Sequence, residues 1–148
     1  MIRAYEESDF SKIESIYNVS KRDEFAGEKF DVTVVPLSED QKMLQLFRDS
    51  KIYIYEKSDI VGFAGAKENY ISWLFVHPDF RGKNIGKKLI LHVLSEMNGL
   101  VTLNVARSNI AATNLYRNLG FKIDKEFTGK YQGKPIVGLK MSKVVKNG

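Results

Sequence analysis

Residues 81–88 combine two glycines with four basic side chains, in the order Arg81-Gly82-Lys83-Asn84-Ile85-Gly86-Lys87-Lys88. A strand-like run precedes this segment, and an amphipathic helical pattern begins inside it. The first N–H groups of a helix have no internal acceptor and lie at the positive end of the helix dipole. A phosphate placed there satisfies both conditions, and the glycines let the backbone approach it. The segment therefore predicts a diphosphate site.

The spacing of the glycines argues against two common nucleotide motifs. The P-loop has four residues between its glycines, and its Lys is followed by Ser or Thr. Here three residues separate Gly82 from Gly86, and Lys87 is followed by Lys88. The dinucleotide-binding loop of Rossmann folds needs a middle glycine that is missing here.

Two further segments accompany the basic loop. Leu74-Phe75-Val76-His77-Pro78 precedes it, and Asn109-Ile110-Ala111-Ala112-Thr113-Asn114-Leu115-Tyr116-Arg117-Asn118-Leu119-Gly120-Phe121 follows later. Together with Arg-Gly-x-x-x-Gly at 81–86, they resemble the phosphate loop, the cofactor-binding strand and the second signature of the GNAT superfamily of acetyl-CoA-dependent N-acetyltransferases. The resemblance implies transfer of an acetyl group from acetyl-CoA to a primary amine by direct attack, without an enzyme nucleophile or a metal.

The same resemblance implies a set of cofactor contacts. The pantetheine arm of CoA would fill a gap between two parallel strands, as strand addition does, and an N–H at Phe75 or Val76 would stabilise the developing oxyanion. The implied cofactor-binding residues are Leu74, Phe75, Val76, Arg81, Gly82, Lys83, Asn84, Ile85, Gly86, Lys87, Asn104, Asn109, Asn114 and Tyr116.

Proton transfer is assigned to two residues. Tyr116 is the expected general acid, because a phenol with a pKa of about 10 stays protonated and can donate to the CoA thiolate. It also lies on an apolar stripe, so an ordinary core role is the alternative. Many family members carry a glutamate near the position of Tyr70; here Glu68 is the candidate base, and solvent is its rival.

The acceptor is expected to lie near residues that the family uses for its acceptor pocket. Acidic and aromatic side chains suit a cationic amine. The substrate-binding candidates are Phe25, Phe30, Tyr70 and Tyr131, with Tyr17, Asp23, Glu24 and Glu28 in the same region. A small-molecule amine is expected, and a protein or peptide amine is the alternative.

Composition bounds the remaining possibilities. The chain has 148 residues, a net charge of +5 and no cysteine, which excludes disulfides and thiolate catalysis. His77 and His92 lack partners at metal-ligand spacing, and neither a membrane span nor a secretory core is evident. We expect a cytoplasmic monomer or homodimer. A non-catalytic acyl-CoA-binding module remains the alternative, and a nucleic-acid binder rests on the positive charge alone.

The elements that must position these residues follow the order β-α-α-β-β-β-α-β-α-β-β. Ser8 and Ser38 are the expected caps of the first two helices, and 21–36 is expected to be a loop or broken helix. The later elements are expected at 51–56, 60–67, 70–77, 85–97, 100–106, 109–119, 121–127 and 136–141, with a turn at 129–135. This order predicts one α+β domain over 1–148, in α/β/α layers, with a mixed, mostly antiparallel sheet. The resemblance adds a splayed parallel strand pair.

Overall fold

The computed structural model describes residues 1–31 and 33–147, and a seven-stranded mixed sheet forms its centre. The strands are β1 (Ile2–Ala4), β2 (Lys51–Lys57), β3 (Asp59–Lys67), β4 (Tyr70–Val76), β5 (Gly99–Ala106), β6 (Lys122–Tyr131) and β7 (Lys134–Val145). Their spatial order is β1-β2-β3-β4-β5-β7-β6. Every neighbouring pair is antiparallel except β4 and β5. The predicted mixed, mostly antiparallel sheet is confirmed.

Four α-helices cover the two faces of the sheet. They are α1 (Phe10–Glu24), α2 (Gln41–Asp49), α3 (Ile85–Ser95) and α4 (Ile110–Asn118), with short 3-10 turns at Glu7–Asp9, Leu37–Glu39 and Pro78–Phe80. One apolar cluster joins α1 and α2 to the sheet, and a second joins α3 and α4 to its other face. Covering both faces explains why Val61 to Ala66 of β3 are buried without alternation.

The first two helices begin with different caps from those predicted. Ser8 lies inside a 3-10 turn that Glu6 and Asp9 close by a capping box. The N-cap of α2 is Asp40, whose carboxylate accepts a bond from the Met43 N–H at 3.2 Å, and Ser38 lies in the preceding 3-10 turn. In α2 the Asp40 carboxylate therefore caps the positive helix end, where a serine hydroxyl was predicted.

Two segments are more regular than the sequence predicted. Helix α1 continues through Lys21 to Glu24 instead of ending in a loop. The last two strands run to Tyr131 and from Lys134, so the connection shrinks from the expected 129–135 to Gln132 and Gly133. Both turn residues have positive φ, 52° and 78°, as a two-residue type I′ hairpin turn requires.

The parallel pair of strands has a short register. Tyr70 pairs with Thr102 and Ile71 pairs with Leu103, and no further pair is recorded along the described strands. Beyond this point β4 stays paired with β3, and β5 stays paired with β7. The two strands therefore separate toward their C-terminal ends, as the resemblance implied. This separation positions the site.

The fold also depends on one ion pair near the N-terminus. Asp9 is only 6% exposed and accepts two bonds of 2.9 Å from the Arg3 guanidinium and one of 2.8 Å from the Glu6 N–H. The Arg3 bonds hold the pKa of the Asp9 carboxyl below its usual value. The pair ties β1 to the start of α1.

Asp9→Asn should lower the free energy of unfolding by about 1–3 kcal/mol at pH 7, because charged hydrogen bonds are lost. Since the folded pKa is depressed, this stability is complete above the unfolded value of about 3.9 and is lost as the pH falls through the lower folded value. Urea unfolding at pH 7 and pH 3 should show the two proteins converging in acid. The exposed Asp124→Asn is the control. A difference that does not depend on pH would contradict this account.

Candidate functional site

A cleft of about 430 Å³ occupies the gap between β4 and β5. Its walls are the last turn of α1, the two strands, the basic loop with the start of α3, and α4. All the predicted cofactor-binding residues border it except Lys83 and Asn114; those that do are Leu74, Phe75, Val76, Arg81, Gly82, Asn84, Ile85, Gly86, Lys87, Asn104, Asn109 and Tyr116. The structure thus brings the two sequence motifs to one place.

The strand register decides which backbone groups of β4 face the cleft. The His77 N–H donates to the Val61 carbonyl at 2.8 Å, so this residue pair carries ladder bonds. In an antiparallel ladder every second pair does so; Phe75 therefore uses its N–H and C=O on β3. A Cβ on Gly62 of β3 would lie only 3.0 Å from the Phe75 carbonyl oxygen, so this oxygen points toward β3. Of the two predicted oxyanion donors, the register favours Val76 over Phe75.

The groups that face the cleft are those of Leu74 and Val76. Beyond Ile71, β5 does not pair with them in the described register. The Val76 carbonyl accepts bonds from the Ser20 hydroxyl at 3.3 Å and from the Arg81 Nε at 3.2 Å, while its N–H is directed to the same edge. This edge offers main-chain donors and acceptors to an extended ligand.

The basic loop presents its backbone to the other end of the cleft. Gly82 and Asn84 have positive φ, 78° and 62°. The first bond of α3 runs from the Lys88 N–H to the Asn84 carbonyl at 3.0 Å, so the N–H groups of residues 85–87 have no acceptor within the helix. Asn84 makes no side-chain capping bond within the described structure. The N-terminus of α3 can therefore bind an anion.

Gly86 provides space rather than an unusual backbone. A methyl group there would lie 3.6 Å from Leu115 Cδ2 and 3.8 Å from Leu74 Cδ2, which is ordinary contact. A longer side chain would extend into the cleft. The absence of a side chain at position 86 is thus a property of the site and not a demand of the fold.

Two basic residues of the loop have partners within the protein. Arg81 Nη1 lies 2.7 Å from Asp23 Oδ2, and this pair joins the loop to α1. The ammonium of Lys83 lies 5.5 Å from the centre of the Phe80 ring. Lys87 is exposed and borders the cleft, so it and the helix end supply the positive charge nearest to an anion.

Tyr116 belongs both to the core and to the cleft. It is 7% exposed, and its ring packs edge-on against Phe121 at 5.7 Å. Burial, and then the charges of Glu24 and Tyr70, raises the pKa of the Tyr116 hydroxyl well above its ordinary value. Among the described residues its hydroxyl has no hydrogen-bond partner. A protonated phenol thus borders the cleft, and the core and acid interpretations are compatible.

The three predicted asparagines have different positions. Asn109 is the N-cap of α4 and accepts from the Ala112 N–H at 3.3 Å, and it borders the cleft. Asn104 is exposed on β5 and also borders the cleft. Asn114 lies with Ile110 and Arg117 beside a separate groove on α4.

Three of the four predicted acceptor residues come together. The ring of Phe25 stacks on that of Tyr131 with centroids 4.5 Å apart, and Phe30 packs against the same cluster. Tyr70 lies apart, at the start of β4 where the parallel pair is closed, and burial raises the pKa of its hydroxyl.

The candidate base is not near the cleft wall. Glu68 is exposed on the turn between β3 and β4, with φ of 54°, and it is absent from the described lining. The carboxylates that border the cleft are Asp23 and Glu24. Two further residues were not predicted, Ser20 at the cleft wall and the buried Lys21 beside it. The helical spacing from Ile16 and Tyr17, extended by one turn, would have placed them on the same face of α1.

The described residues contain no group of three or more His, Cys, Asp or Glu side chains arranged to hold a metal ion. None of the four helices has the length and apolarity that a membrane span requires.

Comparison with known proteins agrees with this geometry. Residues 48–123 match the family described as "Acetyltransferase (GNAT) domain". The peptidyl-lysine N-acetyltransferase YjaB of Salmonella typhimurium is 34% identical over 84 residues, which are 57% of each chain. The match thus spans less than two thirds of that relative's length.

Solved structures share the whole fold at low identity. A GCN5-related N-acetyltransferase from Rhodopseudomonas palustris has a TM-score of 0.82 at 20% identity, covering 98% of this chain and 95% of its own. YncA of Salmonella typhimurium, solved with its cofactor acetyl-CoA, has a TM-score of 0.73 at 19% identity, covering 100% and 95%. With the separated strands, the loop and the family match in agreement, this chain belongs to the GNAT acetyltransferase family and has its α+β fold.

Proposed function

We propose that residues 1–148 act as one N-acetyltransferase domain that moves the acetyl group of acetyl-CoA to a primary amine by direct attack. The observation that carries this proposal is the cleft between β4 and β5, with the N–H groups of Leu74 and Val76 along one wall and the N-terminus of α3 at one end. Family membership supports the same reaction.

The residues present fit acetyl-CoA. The N–H groups of residues 85–87, with Lys87, would hold the diphosphate, and the edge of β4 at Leu74 and Val76 would bind the amides of the pantetheine arm. When bound, acetyl-CoA supplies an activated acetyl thioester. The Val76 N–H would stabilise the negative charge that develops on the thioester oxygen; such donors contribute about 3–4 kcal/mol elsewhere.

Proton transfer completes the reaction. The Tyr116 hydroxyl would donate to the CoA sulfur as the acyl bond breaks. The acceptor amine must lose a proton before it attacks, and the exposed position of Glu68 outside the cleft favours solvent as the base.

The acceptor is a primary amine. The carboxylates of Asp23 and Glu24 at the cleft and the ring of the adjoining Phe25 suit a cationic small molecule, while the name of the relative YjaB supports a peptide lysine. Both remain within the proposal. Cytoplasmic location and a monomeric or homodimeric state stay predictions.

A non-catalytic acyl-CoA-binding module is the second candidate. The observation that favours it is Tyr70 near the place where many family members carry a glutamate, with Glu68 turned to solvent. Mixing the protein, acetyl-CoA and a panel of amines, with detection of free CoA thiol, separates the two functions. Thiol release supports transfer; tight CoA binding by folded protein without release on any amine supports the module.

Tyr116→Phe should lower kcat by about 10²–10⁴-fold, the usual contribution of a general acid. The affinity for acetyl-CoA should change little, because the hydroxyl has no partner within the described protein and the ring still packs on Phe121. Steady-state kinetics and calorimetry measure the two effects. Tyr5→Phe is the matched control, since the Tyr5 hydroxyl is buried without a partner among the described residues and lies away from the cleft. Unchanged turnover in Tyr116→Phe would remove the acid role.

Gly86→Glu should weaken CoA binding by about 100-fold or more, because it places a carboxylate beside the diphosphate, and like charges cost several kcal/mol. Gly86→Ala should fold normally, since its methyl would make only ordinary contacts. Gly129→Glu, on β6, adds the same charge away from the loop and is the control. Calorimetric titration with CoA measures the affinities. Equal affinity in Gly86→Glu and wild type would contradict the phosphate assignment.

A further inference from the structure

Lys21 is a buried lysine in the last turn of α1. It is 8% exposed, and its ammonium lies 5.7, 5.3 and 5.4 Å from the ring centres of Tyr17, Phe25 and Tyr131. Its one ion-pair partner in the described structure is Glu24, with Nζ 3.1 Å from Oε2. We call these three rings and the Glu24 carboxylate the ammonium box.

The box has the composition of a cation-binding site. Aromatic rings attract an ammonium within about 6 Å of their centres, and cages of such rings recognise alkylated ammonium ligands. The walls come from separate parts of the chain, since Tyr17 and Glu24 lie on α1, Phe25 follows that helix and Tyr131 ends β6. The stacking of Phe25 on Tyr131 at 4.5 Å fixes two walls against each other.

Stability alone gives a weak reason for a lysine at this position. Removing a charge from water is costly, and a buried ion pair often contributes no more than an apolar side chain of similar volume. A methionine would fill the same space without that cost. The buried ammonium therefore indicates that the surrounding groups are suited to a cation.

The box adjoins the cleft. Glu24 borders the cleft as well as the box, and the side chain of Ser20, one residue before Lys21, bonds to the Val76 carbonyl at the cleft wall. The Glu24 charge also contributes, after burial, to the raised pKa of the hydroxyls of Tyr116 and Tyr131. An ammonium in the box is thus close to the wall that would bind the acetyl donor.

We propose that the ammonium box binds a primary alkylammonium ligand on an unbranched chain, and that the Lys21 side chain occupies it as an internal ligand until such a molecule displaces it. Two ammonium groups beside the one Glu24 carboxylate would repel each other, so entry requires that Lys21 withdraws. Its flexible stem near the end of α1 can carry the ammonium to solvent. The ligand's role as acetyl acceptor rests on the proposed function; its binding does not.

The test compares binding of n-butylammonium to wild type and to Lys21→Ala by calorimetry, with and without CoA. Lys21→Ala, which empties the box, should bind n-butylammonium about tenfold more tightly or better, since one desolvated cation–π contact is already worth about that factor. Lys21→Met, which fills the box without charge, should show no gain. Butan-1-ol, a neutral probe of the same length, should not discriminate.

Two controls separate the box from general effects. Lys29→Ala removes an exposed lysine of the next segment and should behave as wild type. Phe25→Leu in the Lys21→Ala background should abolish the gain. Equal n-butylammonium affinity in folded wild type and folded Lys21→Ala would overturn the proposal.

If Lys21→Ala does not fold, the wild-type protein still provides a test. The NMR signals of the Lys21 side chain, shifted by three rings, should move toward those of a solvated lysine as n-butylammonium is added in excess. Signals that do not move at saturating n-butylammonium would overturn the proposal. A CoA titration of the same sample tests the proposed function separately. If CoA does not bind but n-butylammonium still displaces the Lys21 side chain, only the proposed function is contradicted.

Discussion

The site depends on the separation of two parallel strands after only two residue pairs. Each strand keeps an outer partner along its length, β3 for β4 and β7 for β5, so the sheet loses no outer ladder when the inner edges part. At the closed end the Asn69 carbonyl accepts from the Thr102 N–H at 3.0 Å, and the Asn69 amide donates to Asn98 and Leu100. Main-chain groups left without partners must bind water or ligand. The inner edges of β4 and β5 can therefore bind a ligand without loss of the pairing that holds each strand in the sheet.

The last turn of α1 links the parts around this gap. Ser20 bonds to the carbonyl of Val76, Asp23 pairs with Arg81 of the basic loop, and Glu24 pairs with Lys21 in the ammonium box. One helical turn thus contacts the edge of β4, the basic loop and the ammonium box. Movement of this turn would change all three contacts together, because they lie within five residues of one helix.

The parts of the site that the sequence could predict are those set by local pattern. Glycine spacing and helix polarity predict a loop that leads into a helix N-terminus within 81–87, which the structure has at the start of α3, and the apolar stripe predicts the buried ring of Tyr116. At the end of α1 the apolar stripe gives way to polar residues. Helical spacing alone places Ser20 and Lys21 on the inward face, but the contact of Lys21 with Tyr131 comes from a distant hairpin and could not be predicted.

The register of the strands also could not be predicted from the pattern of residue types. Side chains of Phe75 and Val76 are alike in type, yet only the ladder with β3 shows which backbone N–H is already used. Likewise Pro135 suggests a loop, but it pairs with Lys130 in the hairpin, where the proline lies near the start of a strand and its missing N–H is tolerated.

Burial of Tyr116 limits how it can act as an acid. An ordinary phenol has a pKa of about 10 and an ordinary thiol about 8.5, so full transfer to a thiolate is uphill by about 2 kcal/mol. Desolvation raises the pKa of both groups, because it penalises both anions, and so the difference is not removed by moving the pair into the cleft. In the proposed reaction the Tyr116 hydroxyl would therefore donate a hydrogen bond to the sulfur while charge develops there, with its proton only partly transferred in the transition state. The depth of Tyr116 in the core keeps the hydroxyl protonated before that point.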